Sequence, residues 1–129
     1  MKKLFFLLLI PVAAAALSFR AANPAAMTFD DVKHNFGLIH QGDIVSHDYV
    51  FTNTGDEPIV ITEAKVACEC TKVDFPKTPI AKGQSGTVKV TFDSKSAFDR
   101  QERTVTVYSN AKNSPVTLTF KAVVLKPKN

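Results

Sequence analysis

Apolar side chains recur at every second position through most of the chain beyond its first 26 residues. The alternation is cleanest in Thr87–Phe92, where Val88, Val90 and Phe92 share one face, and it returns in Val116–Val124. Because an extended strand points successive side chains to opposite faces, each such segment has one apolar and one polar face. No window carries the apolar period of a capped amphipathic helix. The chain is therefore predicted to consist of β-strands.

Clusters of Gly, Pro, Asn and Asp divide these segments into about seven short strands, as in the turn signals at 53–58 and 110–115. Short alternating strands separated by such turns are typical of an antiparallel β-sandwich, in which two sheets hide their apolar faces against each other. Phe51, Phe92 and Phe120 are predicted to meet in the shared interior. A closed barrel is the alternative, and the unequal strand lengths and the prolines in the middle of the chain disfavour it.

The first 18 residues have the features of a secretory signal peptide. Lys2 and Lys3 form a positive start, residues 4–17 are apolar, and either 14–16 or 16–18 supplies small residues for cleavage. This apolar run is shorter than the ~20 residues that a membrane helix needs, so a retained anchor is the weaker alternative. The predicted divisions are a signal peptide at 1–18, a linker at 19–26 and a β-sandwich domain at 27–129.

The charge of the chain falls once the leader is removed. Loss of Lys2 and Lys3 lowers the formal net charge from +4 to +2. No run of Lys and Arg is interleaved with aromatic residues, so nucleic-acid binding is not expected. The predicted location is the periplasm, the cell surface or the extracellular space, with no membrane span after cleavage. Such compartments are oxidising, and paired thiols persist there as disulfides.

Cys68 and Cys70 are the only two cysteines. In a regular strand, Cα atoms two residues apart are about 6.6 Å from each other, near the upper limit of roughly 6.8 Å for a disulfide. A bridge between them therefore needs a turn or a bulge. Three interpretations stay open: a structural pair or two buried small side chains, a redox-active or protective dithiol, and a soft-metal site that holds Cu(I).

The three histidines are the candidates for further metal ligands. Their positions, His34, His40 and His47, match no known metal signature, and zinc would need a fuller ligand set. His47 shares a strand face with Tyr49 and Phe51, so it is predicted to be partly buried and hydrogen-bonded.

Sequence motifs for catalysis are missing. The chain has no nucleophile elbow, no H-E-x-x-H zinc motif, no dinucleotide-binding glycine pattern and no phosphate loop. We therefore predict that the chain is not an enzyme and that it has no catalytic residues and no bound cofactor. The residues that would serve a metal, if one binds, are Cys68, Cys70 and His34.

An ordered series of motifs runs through residues 27–124. It comprises His34–Ile39, Phe51–Ile61, Cys68–Thr71, Pro79–Gly86 and Val107–Ala111. In these motifs the chain resembles a bacterial family of domains of unknown function, family 1573. That family occurs in exported proteins of Bacteroidetes-type bacteria and is similar to Hydin-like and major-sperm-protein-like immunoglobulin sandwiches. The resemblance implies an immunoglobulin-like fold and export, and it implies no activity.

Two positions depart from the family pattern. Glu69 stands between the cysteines where the family usually has Gly, a residue that permits a positive φ and a tight turn. The loop Ser94–Arg100 also lacks an expected Gly. Glu69 is therefore expected to disfavour a tight turn, and with it a Cys68–Cys70 bridge, and the loop 94–100 is expected to depart from the family's conformation.

Together these observations predict an exported, non-enzymatic immunoglobulin-like domain that acts as a binding or structural module. Its partner would be a protein or another component of the cell envelope. The candidate recognition surfaces are the loops 53–58, 68–72 and 94–100, or an exposed sheet edge to which an extended peptide adds as a strand. The alternative function is a periplasmic thiol-redox or copper-handling protein that uses Cys68 and Cys70.

Overall fold

Eight β-strands form two four-stranded sheets in the computed structural model, which describes residues 22–128. The strands are β1 (Met27–Phe29), β2 (Lys33–His40), β3 (Ile44–Asn53), β4 (Ile61–Val66), β5 (Thr71–Asp74), β6 (Ser85–Asp93), β7 (Asp99–Ser109) and β8 (Val116–Leu125). The first sheet has the order β1-β3-β6-β5, and the second has the order β2-β8-β7-β4. No strand of one sheet pairs with a strand of the other within this part of the chain. The predicted sandwich is confirmed, and the closed barrel is excluded.

The segment from Met27 to Ile39 forms two strands, β1 and β2, in different sheets, and the count is eight where about seven were predicted. β2 runs parallel to β8, whereas the other strand pairs are antiparallel. These two strands lie far apart in the sequence, so no hairpin turn constrains their relative direction. The alternation of apolar residues assigns faces to a strand and carries no information about that direction.

Three phenylalanines occupy the space between the sheets, as predicted. Phe51 and Phe92 of the first sheet and Phe120 of the second are each at most 1% exposed and belong to one hydrophobic cluster. The ring centroids of Phe92 and Phe120 lie 5.3 Å apart, across the interface between the sheets. Full burial of each ring contributes on the order of 2–3 kcal/mol to stability.

Two boundaries differ from those predicted: the end of the linker and the start of β7. Ala25 and Ala26, assigned to the linker, are buried, and their carbonyl groups accept hydrogen bonds from Lys112 and Thr54. β7 begins at Asp99, inside the segment 94–100 assigned to a loop, because its polar first residues pair with β8 without an apolar alternation to reveal them. The predicted signal peptide lies outside the described residues.

Asp99 adopts the backbone conformation for which a glycine was expected in the loop before β7. Its φ is +66°, in the left-handed region that glycine usually fills. Aspartate adopts this region more readily than most side chains because its short polar group bonds locally. The loop therefore makes its turn without a glycine.

Candidate functional site

Cys68 and Cys70 are joined by a disulfide in the turn between β4 and β5. The N–H of Thr71 donates to the carbonyl oxygen of Cys68 at 3.1 Å and closes this turn. The two cysteine Cα atoms are 5.1 Å apart, compared with about 6.6 Å in a regular strand. Because the chain leaves the β-conformation here, the sulfurs reach each other.

Glu69 does not need the backbone freedom of glycine. Asp99 is the one non-glycine residue with a positive φ among residues 22–128, so Glu69 has an ordinary backbone conformation. The N–H of Cys70 points to the sulfur of Cys68 at 3.1 Å. The side chain of Glu69 is exposed next to the half-buried disulfide.

A groove of about 390 Å³ lies beside the disulfide, between the start of β3, the end of β6 and the 3₁₀ turn Ser94–Ser96. Ile44 contributes an apolar side chain that is 66% exposed. Lys72 and Lys95 supply positive charge, and Glu69 and Asp93 supply negative charge. Exposed apolar side chains together with charged ones are common at protein-recognition surfaces.

Hydrogen bonds fix the loop after β6 that borders the groove. Ser94 is fully buried, and its hydroxyl contacts the carbonyl oxygens of Asp43 at 2.7 Å and His40 at 3.1 Å. The carboxylate of Asp93 accepts a hydrogen bond from the N–H of Lys95, while the Asp93 N–H donates to the carbonyl of Cys70 at 2.9 Å. The loop that follows β6 is thereby tied to the disulfide turn.

The three predicted recognition loops separate into two places. The loops 68–72 and 94–100 both contribute to the groove, whereas the loop 53–58 follows the other end of β3. In that loop Asn53 is 1% exposed, and its side-chain amide donates to the carbonyl groups of Glu57 and Ile80. The loop 53–58 therefore has a structural role in holding the domain together.

An ion pair also supports the loop 53–58. Lys82 Nζ lies 2.7 Å from Asp56 Oδ1, and the N–H of Asn23 donates to the other carboxylate oxygen. The hydrogen bond from Lys82, followed by that from Asn23, holds the pKa of Asp56 below its usual value. The sequence showed a turn here, and it contained no signal for these contacts with residues 23 and 82.

His34 and His47 stack across the two sheets. Their ring centroids are 3.7 Å apart with an interplanar angle of 9°, and Asp31 Oδ2 lies 3.9 Å from His47 Nε2. His47 is half-buried as predicted, but its Nε2 has no hydrogen-bond partner within residues 22–128, so the expected hydrogen bond is not formed there. Burial, followed by the charge of His47, lowers the pKa of His34, and Asp31 opposes this shift.

The candidate metal ligands do not form one cluster. Among the described residues, no group of three or more His, Cys, Asp or Glu side chains is placed to hold a metal ion. His34 stacks on His47, and parallel stacked rings direct their nitrogens within their own planes and not towards a common point. His40 contacts Asp43 at the turn after β2, at 4.0 Å between Nδ1 and Oδ2.

The groove also contains Ile44 and Asp93, which lie outside the recognition loops predicted from the sequence, whereas Lys95 belongs to the predicted loop 94–100. Ile44 is the first residue of β3, next to a turn. It is apolar but does not share the face of the buried side chains of its strand, and this mismatch is a weak sequence signal of an exposed binding surface. No helix in the described part of the chain is long and apolar enough to cross a membrane.

Three solved structures show the fold to which this chain is similar. A protein of unknown function from Porphyromonas gingivalis W83 has a TM-score of 0.71 at 14% identity, over 82% of this chain and 50% of that one. PapD-like domain 7 of human CEP192 has a TM-score of 0.63 at 8% identity, over 92% and 99%. WR4, a member of the MSP family from C. elegans, has a TM-score of 0.50 at 8% identity, over 78% and 99%. At these identities the likeness shows the fold alone.

This chain spans half of the Porphyromonas gingivalis structure that it resembles. None of the curated proteins compared with the chain matches it in sequence. The likeness to PapD-like and MSP domains confirms the immunoglobulin-like sandwich predicted from the motifs. The family described as "Protein of unknown function (DUF1573)" matches residues 27–124, and the chain belongs to that family.

Proposed function

We propose that this chain is an exported, non-catalytic immunoglobulin-like module that binds a protein or another cell-envelope component through the groove beside the Cys68–Cys70 disulfide. The observation that carries the proposal is the convergence of the loops 68–72 and 94–100 on one groove next to the exposed Ile44. An exposed apolar side chain surrounded by mixed charges favours recognition of a peptide or loop by shape and charge together.

Two features support export. Residues 1–18 have the charge and apolar pattern of a signal peptide. The disulfide suits an oxidising compartment, where paired thiols persist. Expression of the full chain followed by cell fractionation and intact-mass measurement tests this part. The expected result is an extracytoplasmic species that lacks the leader, and a full-length cytoplasmic species contradicts it.

Site-specific cross-linking tests the groove. A photo-reactive amino acid placed at position 44 in the full chain is expected to capture a discrete partner in the source cells, because Ile44 lies in the groove. The matched control is position 38, since Leu38 is 70% exposed and Ile44 is 66% exposed, and Leu38 lies on β2, outside the groove. The charge reversal Lys95→Glu is expected to weaken capture at position 44. Equal capture at both positions contradicts the proposal.

A second candidate function is thiol-redox or copper handling at Cys68 and Cys70. The observation in its favour is that the disulfide is half-buried and lines an open groove, where a thiol or a small ion has access. Measurement of free thiols and bound copper on purified, leaderless protein, repeated with Cys70→Ser, separates the two functions. A tight Cu(I) complex that Cys70→Ser abolishes supports this candidate. Absence of copper, together with a variant that is only less stable, supports the binding module.

A further inference from the structure

β4 is an outer strand of the second sheet. One side of β4 pairs with β7, and no strand within residues 22–128 pairs with its other side. Its side chains from Thr62 to Val66 are exposed except Ala64, which is half-buried against the core. An open strand edge presents backbone N–H and carbonyl groups to which another strand can bond.

The other three outer strands are less suited to accept a strand. β1 has three residues and β5 has four. The pairing of β2 is irregular between Asn35 and Leu38, around Gly37 with a φ of +73°. Bulges and short lengths protect sheet edges from pairing. β4 has six residues; its register with β7 shifts between Ile61 and Glu63 and is regular from Glu63 to Val66, the stretch that contains Ala64.

The charges on β4 are self-complementary when the strand is reversed. Glu63 and Lys65 are exposed and flank Ala64 symmetrically. In an antiparallel pair of identical strands with Ala64 on the two-fold axis, Glu63 of each copy stands opposite Lys65 of the other. Directly opposite residues of unlike charge stabilise an antiparallel pair, and a two-fold interface forms each such contact twice.

We propose that two copies of this chain associate through antiparallel pairing of their β4 strands, with Ala64 at the two-fold axis, to form one continuous eight-stranded sheet. The reversed order of Glu63 and Lys65 selects a second copy over an unrelated peptide, because only an identical strand necessarily brings the matching charges. The Nζ atom of Lys65 lies 5.2 Å from the ring centroid of Tyr108, which keeps this side chain on the outer face.

The interface is independent of the groove and of its proposed function. The pairing covers residues 62–66 of each copy, a small contact compared with the roughly 1,200–2,000 Å² of a stable complex. The dimer is therefore weak and depends on concentration. Its outer face presents two Glu–Lys pairs, so salt weakens it further.

Sedimentation velocity over a concentration series tests the proposal. The sample is the chain without its predicted leader. Wild type is expected to show a monomer–dimer equilibrium. Glu63→Lys places Lys opposite Lys at both contacts, and Lys65→Glu places Glu opposite Glu. Each single variant is expected to raise the dimer dissociation constant about tenfold or more. Both residues are exposed, so circular dichroism is expected to show an unchanged fold.

The decisive samples restore the charge pairing. The double variant with Glu63→Lys and Lys65→Glu is expected to dimerise like wild type, because each Lys again faces a Glu. An equimolar mixture of the two single variants is expected to form a heterodimer, since one strand carries two positive charges and the other two negative charges. A wild type that stays monomeric overturns the proposal. So does a dimer that the single variants leave unchanged, or one that the double variant fails to restore.

Discussion

The phenol of Tyr49 on β3 donates a hydrogen bond of 2.8 Å to the backbone carbonyl oxygen of Thr119 on β8, across the interface between the two sheets. Tyr49 is 1% exposed, and burial, followed by the charge of Asp31, raises the pKa of its phenol to about 12. The phenol therefore remains a neutral donor at physiological pH. It provides a polar link between sheets whose contact is otherwise mostly apolar.

Replacing Tyr49 by Phe is expected to lower the free energy of unfolding by about 1–2 kcal/mol, because the carbonyl of Thr119 loses a buried hydrogen-bond donor. Urea denaturation of the purified chain measures the change. The matched control is Tyr108→Phe on the half-exposed face of β7, which is expected to change stability by less than about 0.5 kcal/mol. Equal effects of the two substitutions would falsify the role of the inter-sheet hydrogen bond.

The buried amide of Asn53 is expected to be one of the most sensitive polar groups of the domain. Its Nδ2 donates to the carbonyl groups of Glu57 and Ile80 at 2.8 and 2.9 Å, and its Oδ1 accepts from the N–H of Gly55 at 3.0 Å. Asn53→Ala removes these three hydrogen bonds, although the Ile80 carbonyl keeps the one from the N–H of Ile59, and is expected to cost about 2–4 kcal/mol. Thr52→Ala, at the neighbouring position, serves as the control and is expected to cost under about 1 kcal/mol.

Asn53→Asp sharpens this test. The aspartate carboxylate can still accept the hydrogen bond from the N–H of Gly55. It has an oxygen in place of the NH₂ group that donates to the carbonyl groups of Glu57 and Ile80. It is therefore expected to destabilise the chain at least as much as Ala at neutral pH. A variant with Asp that is as stable as wild type contradicts the donor role.

A methyl group at Gly86 is expected to disturb the core. An added Cβ would lie 2.5 Å from Cζ of the buried Phe51 ring, so the ring or the strand must shift. Gly86→Ala is expected to cost about 1–3 kcal/mol in chemical denaturation. Ser85→Ala, on the exposed neighbouring position, is the control.

Combining Gly86→Ala with Phe51→Leu separates overpacking from other causes. The smaller side chain at 51 makes room for the methyl group. The double variant is therefore expected to lose less stability than the sum of the losses of the two single variants. Strictly additive losses would show that the two positions do not compete for space.

Stability is expected to fall as the pH drops below neutrality because of His34. Its pKa in the folded chain is lowered from its usual 6.5 by burial and by the charge of His47. Just below pH 6.5 the unfolded chain therefore binds more protons at this residue than the folded chain does. The loss of stability begins near this pH and levels off once the pH is below the folded pKa.

His34→Gln is expected to reduce the difference in urea midpoint between about pH 7.5 and about pH 5.5, because it removes the group with the lowered pKa. Lys33→Gln is the control at the adjacent position, since lysine does not normally titrate near neutral pH. If the pH dependence of the His34 variant equals that of wild type, another group is responsible.

Most of the architecture was predictable from residues that lie close together in the sequence. The alternation in 87–92 correctly predicted which side chains of β6 are buried, and the turn signals at 110–115 marked the connection between β7 and β8. The start of β7 was not predictable, because its first residues are polar and gain their place by pairing with β8. The motif series identified the family, but it carried no geometry for the site.

The candidate site was predictable only in part. Cys68 and Cys70 were evident from the sequence, and the need for a turn between them followed from strand spacing. Lys95 lies in the predicted loop 94–100, but the participation of Ile44 and Asp93 was not predictable, since these residues join the groove through contacts between segments that are distant in the chain. The same holds for the stacking of His34 on His47.

By itself the sequence determined which face of each strand is apolar, because that property depends only on side chains two positions apart. It thereby determined that Phe51, Phe92 and Phe120 share an interior. The tertiary structure alone decided which strands are neighbours, that β2 runs parallel to β8, and which loops meet beside the disulfide. These outcomes depend on packing and hydrogen bonds between distant segments, and a local pattern assigns a face to a strand without naming its partner.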